Sequence, residues 1–170
     1  MKKTLAKRVL AIALGLCLMT GVAMAKTTVQ KSTYYGEWHG TLPAQKIELV
    51  LLKFNDLSTP KTESITPAFN QVIGEALTKR GIRIVLPKLL SSDNKMGKID
   101  TVLNFTLEGQ DEGEVHLRAS LCAPERDKDI ASFDARESYE GGYNEKLQAL
   151  KNAVKLITDE LNDYNKKKVF

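Results

Sequence analysis

Between residues 99 and 138 the hydrophobic pattern repeats every second residue, and between 143 and 164 it repeats every three or four; no other feature constrains the fold as much. Thr101, Leu103, Phe105 and Leu107 alternate with Val102, Asn104, Thr106 and Glu108. After the turn EGQDEGE, Val115, Leu117, Ala119 and Leu121 alternate with His116, Arg118 and Ser120, and beyond the APERDK loop Ala131, Phe133 and Ala135 alternate with Ser132, Asp134 and Arg136. Successive side chains of a strand point to opposite faces, so these are expected to be antiparallel strands with one dry face and one wet face. Gly141-Gly142 then breaks the pattern and Asn144 offers a cap. Leu147, Leu150, Val154, Ile157, Leu161 and Tyr164 follow at helical steps, which predicts an amphipathic helix of about five turns.

Upstream, KIELVLLKFND is an apolar run ended by Asn55-Asp56 and reads as a central strand. If Ile47, Leu49 and Leu51 face the helices, Val50, Leu52 and Phe54 point the other way, onto a face that a two-layer domain leaves wet. Thr66 and Pro67 form an expected N-cap and first helical position. Phe69, Val72, Ile73, Ala76 and Leu77 fall on one helical face, and Lys79-Arg80-Gly81 closes that helix. IRIVLP is a short strand stopped by Pro87, followed by the turn-rich connection KLLSSDNKMGK. The element order β-α-β-β-β-β-α defines an α+β class. The expected form is a two-layer sandwich over residues 46–164, in which a mixed sheet of about five strands carries two helices on one face.

The first 25 residues stand apart from this domain. They have a basic start (Lys2, Lys3, Lys7, Arg8), an apolar run from Val9 to Met19 and the small-x-small end Ala23-Met24-Ala25, the layout of a secretory signal peptide cleaved after Ala25. The apolar run is shorter than the roughly 20 residues a bilayer span needs, and no second one follows, so a periplasmic chain without a transmembrane segment is expected. Leu16 before Cys17 is the wrong residue for lipid attachment. This segment carries four of the 25 Lys and Arg and none of the 21 Asp and Glu, so the headline net charge of +4 disappears with it. A balanced chain lacks the basic field that nucleic-acid binding requires. The basic residues 166–168 read as a solvated helix end, with 165–170 as a basic tail.

Residues 26–45 lack either period, carry Gly36, Gly40 and Pro43, and read as an extended arm or linker. The arm holds Tyr34, Tyr35 and Trp38, an aromatic group suited either to strapping the domain or to contacting a partner. Cys122 is the only thiol outside the export segment, so no internal disulfide can form there. It is a free buried thiol, a link between chains or a reactive group. No electropositive neighbour in sequence favours the last of these.

Catalytic patterns are missing. The only histidines are His39, in the arm, and His116, on an alternating strand. There is no G-x-S-x-G, H-E-x-x-H, P-loop or dinucleotide glycine pattern. The acidic groups 111–114 and 127–129 lack calcium-loop spacing and read as hairpin loops. Paired carboxylates for glycoside cleavage have no sequence signature, and nothing here supports them. No enzyme, no cofactor and no metal is therefore expected.

LVLLKFND with its strand-end Phe54-Asn55, AFNQVIGEALTKRGIRIV, the hairpin strands to IASFDARES and the final LQALKNAVKLITDEL together resemble the amino-terminal domain of TolB. They are also similar to domains of the curli secretion lipoprotein CsgG and the penicillin-binding-protein activator LpoB. The resemblance implies a non-enzymatic module that docks onto other envelope proteins or assembles with them. The residues point the same way: Val50, Leu52 and Phe54 on the second face, with Tyr34, Tyr35 and Trp38 of the arm, would form an apolar surface for an envelope partner or a second copy. The alternative is a small-ligand carrier or sensor that uses the same face as a pocket.

Overall fold

A computed structural model describes residues 31–39, 46–87, 99, 101–124 and 129–168. The expected signal peptide, both ends of the expected arm, the whole connection 88–98, part of the APERDK loop and residues 169–170 of the expected tail lie outside the described residues.

The described strands are β1 (Ser32–Trp38), β2 (Leu49–Asp56), β3 (Arg83–Val85), β4 (Thr101–Gly109), β5 (Glu114–Cys122) and β6 (Asp129–Ser138). The helices are α1 (Phe69–Thr78), entered through a 3-10 turn at Thr66–Ala68, and α2 (Tyr143–Lys167). The strands form one mixed sheet in the order β1-β6-β5-β4-β2-β3. β2 runs parallel to β3 and β4, and the remaining neighbours are antiparallel. The α+β class and the helix-covered sheet follow the expectation, with one strand more than expected.

The alternation of β4, β5 and β6 sets the two faces. Leu103, Phe105, Leu107, Val115, Leu117, Leu121, Ala131, Phe133 and Ala135 are buried on the helix side. α1 buries Phe69, Val72, Ile73 and Leu77, and α2 buries Leu150, Val154, Ile157, Leu161 and Tyr164 against the same layer. Each such side chain, fully withdrawn from water, contributes about 1.5–3 kcal/mol before the entropy of ordering is subtracted.

The phase of β2 is the reverse of the expected one. Val50 pairs with Thr101, Leu52 with Leu103 and Phe54 with Phe105, so Val50, Leu52 and Phe54 face the helices. Val50 and Leu52 are buried, and Phe54 stacks on Phe69 with ring centroids 3.7 Å apart. The cause is in the run itself. Four consecutive apolar residues, Leu49 to Leu52, carry no alternation from which a face can be read. Leu51, on the opposite face, is buried as well.

The arm is corrected too, because residues 32–38 form the edge strand β1, paired antiparallel with β6 from Ser32↔Glu137 to Trp38↔Ala131. Helix caps also differ from expectation. Thr66 makes no cap bond to α1, and at α2 the backbone N–H of Gly142 donates to Glu145 Oε2 at 2.9 Å, with Asn144 already inside the helix. α2 runs 25 residues, longer than the expected five turns, and takes Lys166 and Lys167 of the expected tail into its last turn. Gly81 closes the α1 region with φ +72°, a left-handed backbone that glycine adopts without strain.

Candidate interaction surface: the open sheet face and its edge strand

The face away from the helices is built by the second half of the alternation. Asn104, Thr106 and Glu108 of β4, His116, Arg118 and Ser120 of β5, and Ser132, Asp134 and Arg136 of β6 share it, with Tyr35 from β1. Between them lies a shallow groove of about 440 Å³ lined by Tyr35, Asn104, Arg118, Ser120, Asp129 and Asp134 among others.

Asp134 is the hub of this face. Its Oδ2 lies 3.0 Å from His116 Nε2 and accepts from Arg118 Nε at 3.0 Å, while its Oδ1 accepts from Arg136 Nε at 3.4 Å. Burial pushes the Asp134 carboxyl up, but the bonds from His116, Arg118 and Arg136 outweigh it and hold the group below its ordinary value. Arg118 also reaches Glu108 at 3.5 Å, and Arg136 reaches Glu114 at 3.8 Å. The cations of this face are thus shared among carboxylates of the same face.

Two arrangements here carry groups that catalysis uses. His116 has a carboxylate on its ring nitrogen, yet Ser120 and Ser132, which sit opposite each other, stand about 13 Å farther along the strands at 3.3 Å per residue. Cys122 Sγ donates to Asp129 Oδ1 at 3.1 Å and accepts from Asn104 Nδ2 at 3.3 Å. Burial first, and then the bond to Asp129, push its thiol up, which makes the nucleophilic thiolate scarce at neutral pH. Among the described residues, no group of three His, Cys, Asp or Glu side chains is placed to hold a metal ion.

The aromatic residues of β1 divide between the two faces. Tyr34 and Trp38 turn toward the helices, and Tyr35 stands exposed on the open face, its hydroxyl donating to Glu37 at 3.0 Å. Trp38 stacks on Tyr164 of α2 at 4.5 Å, meets Phe133 edge-on at 5.8 Å, and donates its indole N–H to Glu160 Oε1 at 3.0 Å. Burial, followed by the Glu160 charge, pushes the Tyr34 phenol well above its ordinary value. The strap reading thus holds for Tyr34 and Trp38, while Tyr35 stays exposed on the open face. Of the six residues expected to form one apolar docking surface, Val50, Leu52 and Phe54 belong to the core and do not join the β1 aromatics on an open face.

A second polar cluster, not anticipated from the sequence, sits at one end of the sheet. Lys146, only 3% exposed, donates to Asp111 Oδ1 at 2.9 Å, the Glu63 carbonyl at 3.0 Å and Thr62 Oγ1 at 2.5 Å. Asp111 is held at about 2, first by the backbone N–H of Lys61 and then by Lys146 and Thr62. Gln110, also buried, accepts from Ile65 N and donates to Ser58, while Thr66 donates to Asp56. The sequence did carry a signal for Lys146, which lies one turn before Leu150 on the apolar stripe of α2. These bonds fasten the 57–65 loop to the β4–β5 turn and leave the cluster's polar groups engaged with one another.

No protein-family model matches the sequence, and no curated protein matches it. Solved structures do. The chain is similar to the PelC dodecamer of Paraburkholderia phytofirmans with a TM-score of 0.57 and 12% identity, over 78% of this chain and 98% of that one. A second crystal form, of a PelC variant from the same organism, aligns with a TM-score of 0.51 and 10% identity over 75% and 99% of the two chains. The lipoprotein GNA1162 of Neisseria meningitidis aligns at 0.41 and 12% identity, over 68% and 98%. At such identities the likeness is one of fold: the chain has the α/β architecture of the PelC protomer, with 98% of that chain covered.

Proposed function

We propose that this protein is a non-enzymatic, exported accessory protein of the cell envelope that works by assembling with copies of itself. The observation that carries the reading is the match to nearly the whole PelC protomer, a chain whose structure is that of a dodecamer. The export pattern of residues 1–25 and the resemblance to envelope docking modules support the compartment. The engagement of His116 with Asp134 and of the Ser138 hydroxyl with Lys31, together with the protonated state favoured at Cys122, supports assembly over catalysis.

Crosslinking the exported protein inside the cell tests this. Bands at multiples of the chain's own mass are expected, and a single monomer band under crosslinking that captures a known periplasmic oligomer would overturn the reading. A second reading, a small-ligand carrier, draws on the groove of about 440 Å³ beneath Tyr35 and Arg118. It requires a melting temperature that rises with added envelope extract.

A further inference from the structure

The outer edge of β1 has hydrogen-bonding capacity that no described strand meets. Ser138 N–H donates to the Lys31 carbonyl at 3.0 Å and His39 N–H to the Ile130 carbonyl at 2.8 Å. With the register Ser32↔Glu137, these bonds turn the N–H and C=O groups of residues 31, 33, 35, 37 and 39 toward β6. Ser32, Tyr34, Gly36 and Trp38 therefore turn theirs outward. Among the described residues the strand is neither short, bulged nor interrupted by proline, three of the usual protections of a free edge. It is seven residues long against three for β3 at the other edge, contains no proline, and keeps its register with β6 unbroken.

We propose that this edge pairs with the same edge of a second copy, antiparallel about a two-fold axis at Tyr34, joining the two sheets into one. The proposal rests on the assembly reading above and names its surface. Hydrogen bonding fixes half of the register, because outward-facing residues must meet outward-facing residues. Charge fixes the rest. With Tyr34 opposite its own copy, Ser32 meets Gly36 and Lys31 meets Glu37, twice by symmetry, with both charged side chains exposed. Shifting to the alignment centred on Tyr35 sets Lys31 against His39 and Thr33 against Glu37, and a parallel pairing in register lays Lys31 on Lys31. Only the first of these arrangements puts opposite charges face to face. The seam would run beside Tyr34, Trp38 and Leu156, partly buried apolar side chains that a second copy would cover further.

Sedimentation velocity on the exported protein, with Lys31→Glu, Glu37→Lys and the double variant, tests the pairing. Each single reversal is expected to weaken association about tenfold, and the double variant to restore it to within about twofold of the parent. Parent association that neither single reversal weakens overturns the β1 seam and leaves the assembly reading standing. Weakening without recovery in the double variant overturns the proposed register. A parent protein that is monomeric at every concentration overturns both. As an independent readout, Thr33→Cys with Tyr35→Cys in a Cys122→Ser background places cysteines opposite each other across the seam, at Cα separations of about 4.5 Å. Oxidation is expected to give covalent dimers, and an oxidised sample without them overturns the seam.

Discussion

Lys146 and Val50 show how much of the fold single residues decide. Lys146 holds an ammonium group almost out of water, and it can do so because Asp111, Thr62 and the Glu63 carbonyl accept its hydrogen bonds. Lys146→Met leaves the Asp111 carboxylate without its cation, at an expected cost of about 2–4 kcal/mol, read from chemical denaturation. The pH dependence has a definite sign. Asp111 is depressed to about 2 in the folded chain, below the ordinary carboxylate value of about 3.9 when unfolded. Its contribution is therefore present above about pH 4 and lost as pH falls toward 2, and Asp111→Asn is expected to flatten stability in that window. Val50→Ser, which would probe a docking surface had Val50 faced outward, instead places a hydroxyl in the core. It is expected to destabilise by about 2–4 kcal/mol, and a variant as stable as the parent would contradict the orientation of β2.

At the scale of elements, legibility followed contrast. β4, β5 and β6 alternate apolar with polar residues, so their faces could be read directly, and the polar half of that pattern became the open face. β2 offered no contrast over Leu49 to Leu52, and its phase came from its parallel pairing with β4, a long-range fact. β1 was hidden for the opposite reason. Its inward residues are Ser32, Tyr34, Gly36 and Trp38, too mixed to form a hydrophobic stripe. What anchors it is Trp38 on Tyr164, Phe133 and Glu160. Trp38→Ala is expected to cost about 2–3 kcal/mol, less than a fully buried tryptophan because Trp38 is partly exposed. Amide exchange by NMR tests the strand itself. Under dissociating dilution, Thr33, Tyr35 and Glu37 should be protected and Tyr34 and Gly36 should exchange fast; uniform exchange along residues 32–38 would show that β1 does not pair with β6.

For the whole molecule, the change from a two-residue to a helical period was enough to give an α+β sandwich with both helices on one side, as found. The open face was less legible: on β2 it carries Leu51 and Lys53 rather than Val50, Leu52 and Phe54, and its charged centre, Asp134 with His116, Arg118 and Arg136, lies on β5 and β6. A face whose charges satisfy one another gives weak reason for a small ligand to bind, whereas a seven-residue edge without bulge or proline gives a specific reason for chains to join. The most direct test of the β1 pairing is native mass spectrometry of the chain lacking residues 1–25 over a range of concentrations. Species at even multiples of one chain are expected, and a single-chain mass throughout would contradict the pairing.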